Sequence, residues 1–145
     1  MSAAIRFAKA ATRGVPAAAR LYTTRPDVSF EELRQIIHGV GVKPYRLIDV
    51  REPHEVAEGK VPTAVNIPLG EVAAAFGLSP GDFAAKYGVG RPSGSEEAIF
   101  YCRSGKRSQS AIDQVEKVDA SLTLRNYRGS WLDYQENALG SKPLK

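Results

Sequence analysis

The stretch AIFYCRSGKRSQS, residues 98–110, constrains the fold of this chain more than any other. Its first four residues have the apolar character of a buried strand, and a short polar loop and the start of a helix follow. Cys102 stands where the strand ends. This strand, loop and helix predict an α/β fold with Cys102 at the carboxyl end of a strand, where open α/β sheets bind their ligands.

The residues after Cys102 favour an ionised thiol. Cations such as Arg103, Lys106 and Arg107 lower the pKa of a neighbouring thiol, and so does a helix N-terminus. Gly105 allows tight curvature, so that successive backbone N–H groups point inward as a nest for an anion. Lowering a thiol pKa from about 8.5 to about 6.5 makes the thiolate the main species near neutral pH. We therefore expect Cys102 to be a nucleophile that needs no histidine, rather than a small buried residue beside a solvated turn.

Elsewhere, the apolar pattern predicts strands at residues 45–50, 64–67 and 122–126, with helices between them. Ser29 and Ser79 are predicted helix caps. The chain therefore alternates strands with helices, which indicates a mostly parallel sheet covered on both faces. His38 and His54, the only histidines, are expected to be solvated or to cap helices rather than to catalyse.

Three stretches resemble one family, the rhodanese-like sulfurtransferases. CRSGKRS, residues 102–108, is similar to the active-site loop of their single-domain members. DVREPHEVAEGKVPTAVNIP, residues 49–68, resembles their upstream signature, and RNYRGSWLDY, residues 125–134, resembles their closing signature. Relatives often show Gly-His-Ile-Pro-Gly-Ala where this chain has GKVPTA, residues 59–64, so the His and the second Gly are replaced.

The resemblance implies a rhodanese-like α/β domain over residues 25–145, with a mostly parallel sheet of about five strands and helices on both faces. It also implies that Cys102 attacks the outer sulfur of thiosulfate, releases sulfite and keeps a persulfide, with no cofactor and no metal. The segment GLSPGDFAAKYGVGRP, residues 77–92, resembles one in small mitochondrial members that pass the sulfur to glutathione. Thiosulfate and glutathione are therefore the expected small-molecule partners, with cyanide as a secondary acceptor.

The site implied by the resemblance combines the catalytic loop with the upstream and closing signatures. Cys102 is the expected catalytic residue, and the expected substrate-binding residues are Arg103, Ser104, Gly105, Lys106, Arg107 and Arg51. Asp49, Ser108 and Trp131 are expected to support them. Alternatives stay open for several of these residues: Arg107 as a brace of the loop, Asp49 and Arg51 as a structural ion pair, and Trp131 as core. The carboxylates of the acceptor are expected to face Arg51, Arg91 or Arg128 at the pocket edge.

Two other functions compete with sulfur transfer. Protein tyrosine phosphatases and their rhodanese-like cousins place five residues between the Cys and the Arg of a similar loop, whereas four separate Cys102 from Arg107. The shorter ring suits a sulfur atom better than a phosphoryl group. The second alternative is a redox-sensing or partner-binding module in which Cys102 is oxidised rather than loaded with sulfur.

Composition limits the number of domains, the route by which sulfur leaves Cys102 and the classes of partner. The 145 residues suffice for one domain, and Cys102 is the only cysteine, so no internal disulfide or resolving thiol is available. Any sulfur on Cys102 must leave to another molecule. Five cations precede the first acidic residue, Asp27, and account for the formal charge of +4, so the basic balance is a poor argument for a nucleic-acid partner, and none is expected. No apolar run reaches the roughly 18 residues of a membrane span, so no membrane partner is expected.

Residues 1–24 have the composition of a mitochondrial transit peptide. They are rich in Ala, also contain Arg, Thr and one Ser, lack acidic residues, and space three of their cations along one side of a helix. RLY, residues 20–22, resembles a mitochondrial processing site with cleavage after Tyr22. The expected location is therefore the mitochondrial matrix, and the alternative is a disordered basic tail.

Overall fold

The computed structural model describes residues 26–40 and 44–140, so the predicted transit peptide at residues 1–24 lies outside the described residues. In chain order the elements are α1 (Phe30–Ile37), β1 (Tyr45–Asp49), α2 (Pro53–Val56), β2 (Val65–Asn66), α3 (Leu69–Phe76), α4 (Pro80–Tyr87), β3 (Glu97–Tyr101), α5 (Lys106–Val118), β4 (Thr123–Asn126) and α6 (Ser130–Ala138). Each strand predicted from the apolar pattern is present, with its ends within one residue of the prediction.

The four strands found in the described residues form one parallel sheet in the order β2-β1-β3-β4. The parallel α/β architecture is confirmed, with one strand fewer in this part of the chain than the resemblance implied. Strands are added on one side of β1 and then on the other, so β1 and β3 flank a topological switch point. Parallel sheets bind ligands outside the carboxyl ends of the strands at such a point. Cys102 follows β3 at that edge.

Helices cover both faces of the sheet, and the central strand β3 shows this most clearly. Ala98 and Phe100 pack on one face in a cluster that includes residues of α3 and α5. Ile99 and Tyr101 pack on the other face in a cluster that includes residues of α1 and α6. A strand covered on both sides needs apolar residues in succession rather than in alternation, which explains the unbroken AIFY run.

The helix caps follow the sequence expectations. The hydroxyl oxygens of Ser29 and Ser79 accept backbone hydrogen bonds of 3.1 Å at the starts of α1 and α4. The carboxylate of Glu32 pairs with Arg125 of β4, so α1 is also attached to the sheet. Among the described residues, no helix is long and apolar enough to cross a membrane.

In the turn between α2 and β2, a residue other than glycine adopts the left-handed backbone conformation. Thr63 stands where relatives often carry the second glycine of the motif, and its φ is +73°. The hydroxyl of Tyr45 donates a 3.0 Å hydrogen bond to the Thr63 side chain. A β-branched residue rarely adopts this conformation, so the surrounding contacts hold Thr63 in a strained backbone position.

Candidate active site

Cys102 is fixed by the start of α6 as well as by β3. Its backbone N–H donates to the hydroxyl of Ser130 at 3.1 Å, and its carbonyl accepts from the N–H of Trp131 at 2.9 Å. The residue is only 1% exposed. The closing signature, 28 residues further along the chain, therefore positions the backbone of Cys102.

The sulfur of Cys102 lies inside the loop and faces hydrogen-bond donors. The N–H groups of Gly105 and Ser108 donate to Sγ at 3.1 and 3.4 Å, and the Ser108 hydroxyl oxygen lies 3.6 Å from it. Burial raises the pKa of the Cys102 thiol, but the Ser108 hydroxyl and the N–H groups of Ser108, Gly105 and Ser104 more than compensate. The pKa of Cys102 therefore lies below its ordinary value, and the thiolate has an anion nest around it.

Gly105 makes this nest sterically feasible. It precedes the first residue of α5, and its φ of +98° is one that side chains rarely allow. A Cβ atom at Gly105 would lie 2.4 Å from the backbone oxygen of Arg128. The loop can therefore close around the sulfur only with glycine at this position.

The three cations of the loop have different surroundings. Arg103 and Lys106 are exposed, and neither forms an ion pair with the residues that the structure describes. Arg107 instead makes two hydrogen bonds, of 2.8 and 2.9 Å, to the carboxylate of Glu55 on α2. These bonds lower the pKa of Glu55 to about 2, so the pair is charged at neutral pH. The brace role of Arg107 is the one that the geometry favours.

Asp49 and Arg51 form a buried ion pair at the end of β1. Their side chains are almost fully buried, and the closest contact joins Arg51 Nη2 to Asp49 Oδ2 at 2.8 Å. The Arg51 guanidinium also donates to the carbonyl of Gly59 and stacks over the ring of Trp131 at 4.9 Å. These contacts favour the structural alternative for Arg51, because its guanidinium is occupied by protein groups.

The remaining predicted residues fall into distinct places. Trp131 is 8% exposed and belongs to the core under Arg51, while Ser104 is exposed in the loop. Arg128 pairs with Asp27 at 2.7 Å. Arg91 donates to the carbonyl of Phe76 and pairs with Asp119 just beyond the far end of α5. The expectation that Arg91 edges the site is therefore wrong, since Arg91 lies beyond the C-terminus of α5, a helix about 18 Å long whose N-terminus follows the Cys102 loop.

Sequence reasoning missed two residues that the structure brings to the site. Glu55 holds Arg107, and Asn126, at the end of β4, accepts a 2.8 Å hydrogen bond from the Ser108 hydroxyl. Asn126 could have been found by the argument used for Cys102, because it is a polar residue at the carboxyl end of a parallel strand. The sequence offered only a weak indication of Glu55, which is that it lies four residues after Arg51 within the upstream signature.

The arrangement supports nucleophilic chemistry at sulfur. A buried thiolate with backbone N–H donors and exposed cations nearby can attack a small anionic substrate and stabilise a negative charge on the product. His38 and His54 are exposed on or beside α1 and α2, outside the contacts of Cys102 described above. In the described parts of the chain, no three His, Cys, Asp or Glu side chains cluster as metal ligands.

Comparisons with known proteins agree with this geometry. The family model described as the rhodanese-like domain matches residues 29–137. Human thiosulfate:glutathione sulfurtransferase is 35% identical over 112 residues, 77% of this chain and 94% of that protein. The mitochondrial thiosulfate sulfurtransferase RDL2 of Saccharomyces cerevisiae is 35% identical over 94 residues, 63% of this chain and 62% of that protein. The solved structure of the human single-domain sulfurtransferase TSTD1 matches with a TM-score of 0.69 and 33% identity, covering 78% of this chain and 97% of that one.

The family match extends from the cap of α1 into α6, so it includes all four strands, the Cys102 loop and both flanking signatures. The sequence identity and the fold thus agree over the same part of the chain. The chain belongs to the rhodanese-like domain family.

Proposed function

We propose that the protein is a sulfurtransferase that moves the outer sulfur of thiosulfate through a persulfide on Cys102 to glutathione. The observation that carries the proposal is the Cys102 sulfur held by the N–H groups of Gly105 and Ser108. Such a nest favours an anionic sulfur both before and after the transfer. Relatives named thiosulfate sulfurtransferases support the choice of donor.

In the first step the thiolate of Cys102 attacks the outer sulfur of thiosulfate. A bond forms between Sγ and that sulfur, the sulfur–sulfur bond of thiosulfate breaks, and sulfite leaves with the bonding pair. The negative charge of the thiolate now lies on the outer sulfur of the persulfide. Loop N–H groups stabilise it there, and this is covalent catalysis of the ping-pong type.

In the second step a thiolate of glutathione attacks the outer sulfur and regenerates the thiolate of Cys102. The chain has no second cysteine, so the persulfide must be discharged to an external molecule. Glutathione is a small nucleophile that can approach a residue as buried as Cys102, and the human relative named thiosulfate:glutathione sulfurtransferase supports it. The product is glutathione persulfide.

The cations of the site divide between binding and positioning. Arg103 and Lys106 are exposed in the loop and at the start of α5, and they are proposed to hold the sulfonate of thiosulfate. Arg107 is held by Glu55 and Arg51 by Asp49, and we assign both to positioning the loop and the strand end. Gly105, Ser104 and Ser108 contribute N–H groups to the sulfur.

Mass spectrometry of the purified protein after thiosulfate treatment tests the proposal. We expect a gain of one sulfur atom on Cys102 and no gain for Cys102→Ser, which preserves the size of the side chain. Cys102→Ser should also release no sulfite. Lasting sulfenic acid without sulfur loading would favour the redox sensor, and hydrolysis of aryl phosphates without loading would favour the phosphatase.

A comparison of acceptors tests the glutathione assignment separately. Sulfite release from thiosulfate is measured with glutathione, cyanide or reduced thioredoxin as the sole acceptor. We expect glutathione to give the highest rate. If cyanide or thioredoxin is faster by tenfold, about 1.4 kcal/mol in transition-state free energy, the acceptor assignment fails while sulfur transfer stands.

For the location, we propose a mitochondrial matrix protein whose transit peptide ends at Tyr22, leaving a rhodanese domain over residues 25–145. The transit-peptide composition of residues 1–24 supports this, and so does the mitochondrial relative RDL2. N-terminal sequencing of protein from its native cells is expected to begin at Thr23. An intact Met1 or Ser2 in the bulk protein would contradict the assignment.

A further inference from the structure

The hydroxyl of Ser108 has one proton and several acceptors around it. Its oxygen lies 2.8 Å from Asn126 Oδ1, 3.1 Å from the carbonyl oxygen of Gly105 and 3.6 Å from the sulfur of Cys102. A hydroxyl donates one hydrogen bond at a time along a good direction. These acceptors therefore compete for the Ser108 proton, and Asn126 is the nearest of them.

Asn126 cannot easily release this bond by turning its amide over. Asn126 is 2% exposed, and its Nδ2 donates to the carbonyl of Gly105 at 3.4 Å and to Gln109 Oε1 at 3.3 Å. Both partners are acceptors, so the flipped amide would place its oxygen against two other oxygens. Oδ1 consequently stays directed at Ser108.

Ionisation of Cys102 changes which acceptor is better. As a thiol, Cys102 can donate to the Ser108 oxygen while the hydroxyl proton stays on Asn126. As a thiolate, the sulfur is an acceptor only, and a lone pair of the hydroxyl facing it is repulsive. The thiolate therefore draws the hydroxyl from Asn126 towards the sulfur, where its bond is charge-assisted, and loss of the 2.8 Å bond to Asn126 opposes this turn.

We propose that Asn126 is a positioning residue of this site, which competes with the sulfur of Cys102 for the single hydroxyl proton of Ser108. Asn126 acts through Ser108 and does not touch the substrate. The inference rests on the proposed function in taking Cys102 as the nucleophile. By withholding part of the hydroxyl bond, Asn126 keeps the thiolate more basic and therefore more nucleophilic than full hydrogen bonding would.

Charged groups on the elements of the site stay the same when Asn126 is changed. On the β1 and α2 side they are Asp49, Arg51 and Glu55. The loop and α5 contribute Arg103, Lys106 and Arg107. After β4 they are Arg128 with its partner Asp27, and Asp133 on α6. Their effect on the thiol is therefore common to all variants of Asn126 that leave the charge unchanged.

The rate of iodoacetamide alkylation as a function of pH measures the competition in the full-length protein, because Cys102 is its only thiol. Asn126→Leu removes the competing acceptor, so we expect the midpoint of the profile to fall by about half a pH unit, about 0.7 kcal/mol. A general loosening of the loop would raise the midpoint instead, because the N–H bonds to the sulfur would weaken. In a Ser108→Ala background, Asn126→Leu should produce no fall.

Asn126→Asp is the second variant, and it keeps the shape of the side chain. Its second carboxylate oxygen replaces the Nδ2 that donates to Gly105 and Gln109, so the fold of the variant is checked by circular dichroism before the comparison. Its carboxylate holds the Ser108 proton more strongly, and we expect the midpoint to rise by more with Ser108 present than in the Ser108→Ala background. An unchanged or raised midpoint in folded Asn126→Leu, or equal shifts in both backgrounds, overturns the proposal. Sulfur loading by thiosulfate is measured separately, so loss of the proposed function and loss of this coupling are distinguishable.

Discussion

Backbone N–H groups and hydroxyls, more than side-chain charge, prepare the sulfur of Cys102 for reaction. Its nearest donors come from Gly105 and Ser108, and together with the N–H of Ser104 they overcome a burial that by itself would raise the pKa of the thiol. The cations were expected to act on the thiol directly, yet the Arg107 guanidinium donates two hydrogen bonds to Glu55. At the scale of single residues, activity therefore depends on the loop conformation that directs these donors at the sulfur.

Two positions with positive φ should respond in opposite directions to substitution. Gly105→Ala forces a Cβ against the backbone of Arg128, so we expect a loss of at least about 2 kcal/mol in the free energy of unfolding and a loss of activity. Thr63→Gly releases about 1–2 kcal/mol of strain, which exceeds the cost of about 0.5–1 kcal/mol for a more flexible residue. The substitution also removes the hydrogen bond from Tyr45, but that bond is exposed and water can replace it, so we expect a small net gain in stability. Urea unfolding measures both. Destabilisation by Thr63→Gly of 1 kcal/mol or more would mean that its backbone is not strained.

At the scale of elements, α2 is attached to the start of α5 by one ion pair. Glu55 lies on a helix of four residues, which has little stability of its own, and Arg107 lies in the first turn of α5. Arg51 adds a second link, because its guanidinium approaches the carbonyl of Glu55 at 3.5 Å. The upstream signature thus supports the catalytic loop through α2.

Glu55→Gln should weaken this attachment in a pH-dependent way. The pKa of Glu55 is about 2 in the folded protein, below its unfolded value of 4.5, so the pair stabilises the fold fully above about pH 4.5. That contribution disappears as the pH falls towards 2. We expect a difference of about 1 kcal/mol between wild type and Glu55→Gln at pH 7, shrinking between pH 4.5 and 2.

The control for Glu55→Gln is Glu31→Gln, which removes the partner of Arg34 in an exposed pair on α1. Such a pair contributes little, so the expected change is a few tenths of a kcal/mol at pH 7. The two variants are compared by chemical denaturation over the same pH series. Equal effects of the two substitutions would remove the special role of the Glu55 attachment.

At the scale of the whole molecule, α5 separates a reactive end from a stabilising end. Its N-terminus carries the loop with exposed cations, and beyond its C-terminus Asp119 pairs with Arg91. The Arg91 side chain is 15% exposed and also packs over the ring of Phe76. Substitutions at the N-terminal end should therefore affect substrate binding, and substitutions at the C-terminal end should affect stability.

Lys106→Ala and Arg91→Ala test this division. Lys106→Ala should raise the apparent KM for thiosulfate several-fold and barely change stability, because the side chain is exposed. Arg91→Ala should lower the free energy of unfolding by about 1–2 kcal/mol and leave the KM values for thiosulfate and glutathione unchanged. Steady-state kinetics and thermal unfolding are measured on both. A raised KM for glutathione in Arg91→Ala would return Arg91 to the site.

The fold could be predicted largely from local sequence. The unbroken apolar run before Cys102 required a strand buried on both faces, and Ser29 and Ser79 marked helix starts where the structure has them. Alternation of strands and helices then required a parallel sheet. These features depend on neighbours in the chain, so periodicity and capping are sufficient to infer them.

Tertiary structure decided the partners of the charged and polar groups at the site. Local sequence placed Cys102, Gly105 and the cations together, but Arg107 is paired with a carboxylate 52 residues earlier, and the Ser108 hydroxyl is hydrogen-bonded to Asn126, 18 residues later. Ion pairs and hydrogen bonds act over a few ångströms, so their partners depend on which loops the sheet brings together. Sequence alone thus determined where the nucleophile is, and only the assembled sheet decided which of its neighbours bind, brace or compete.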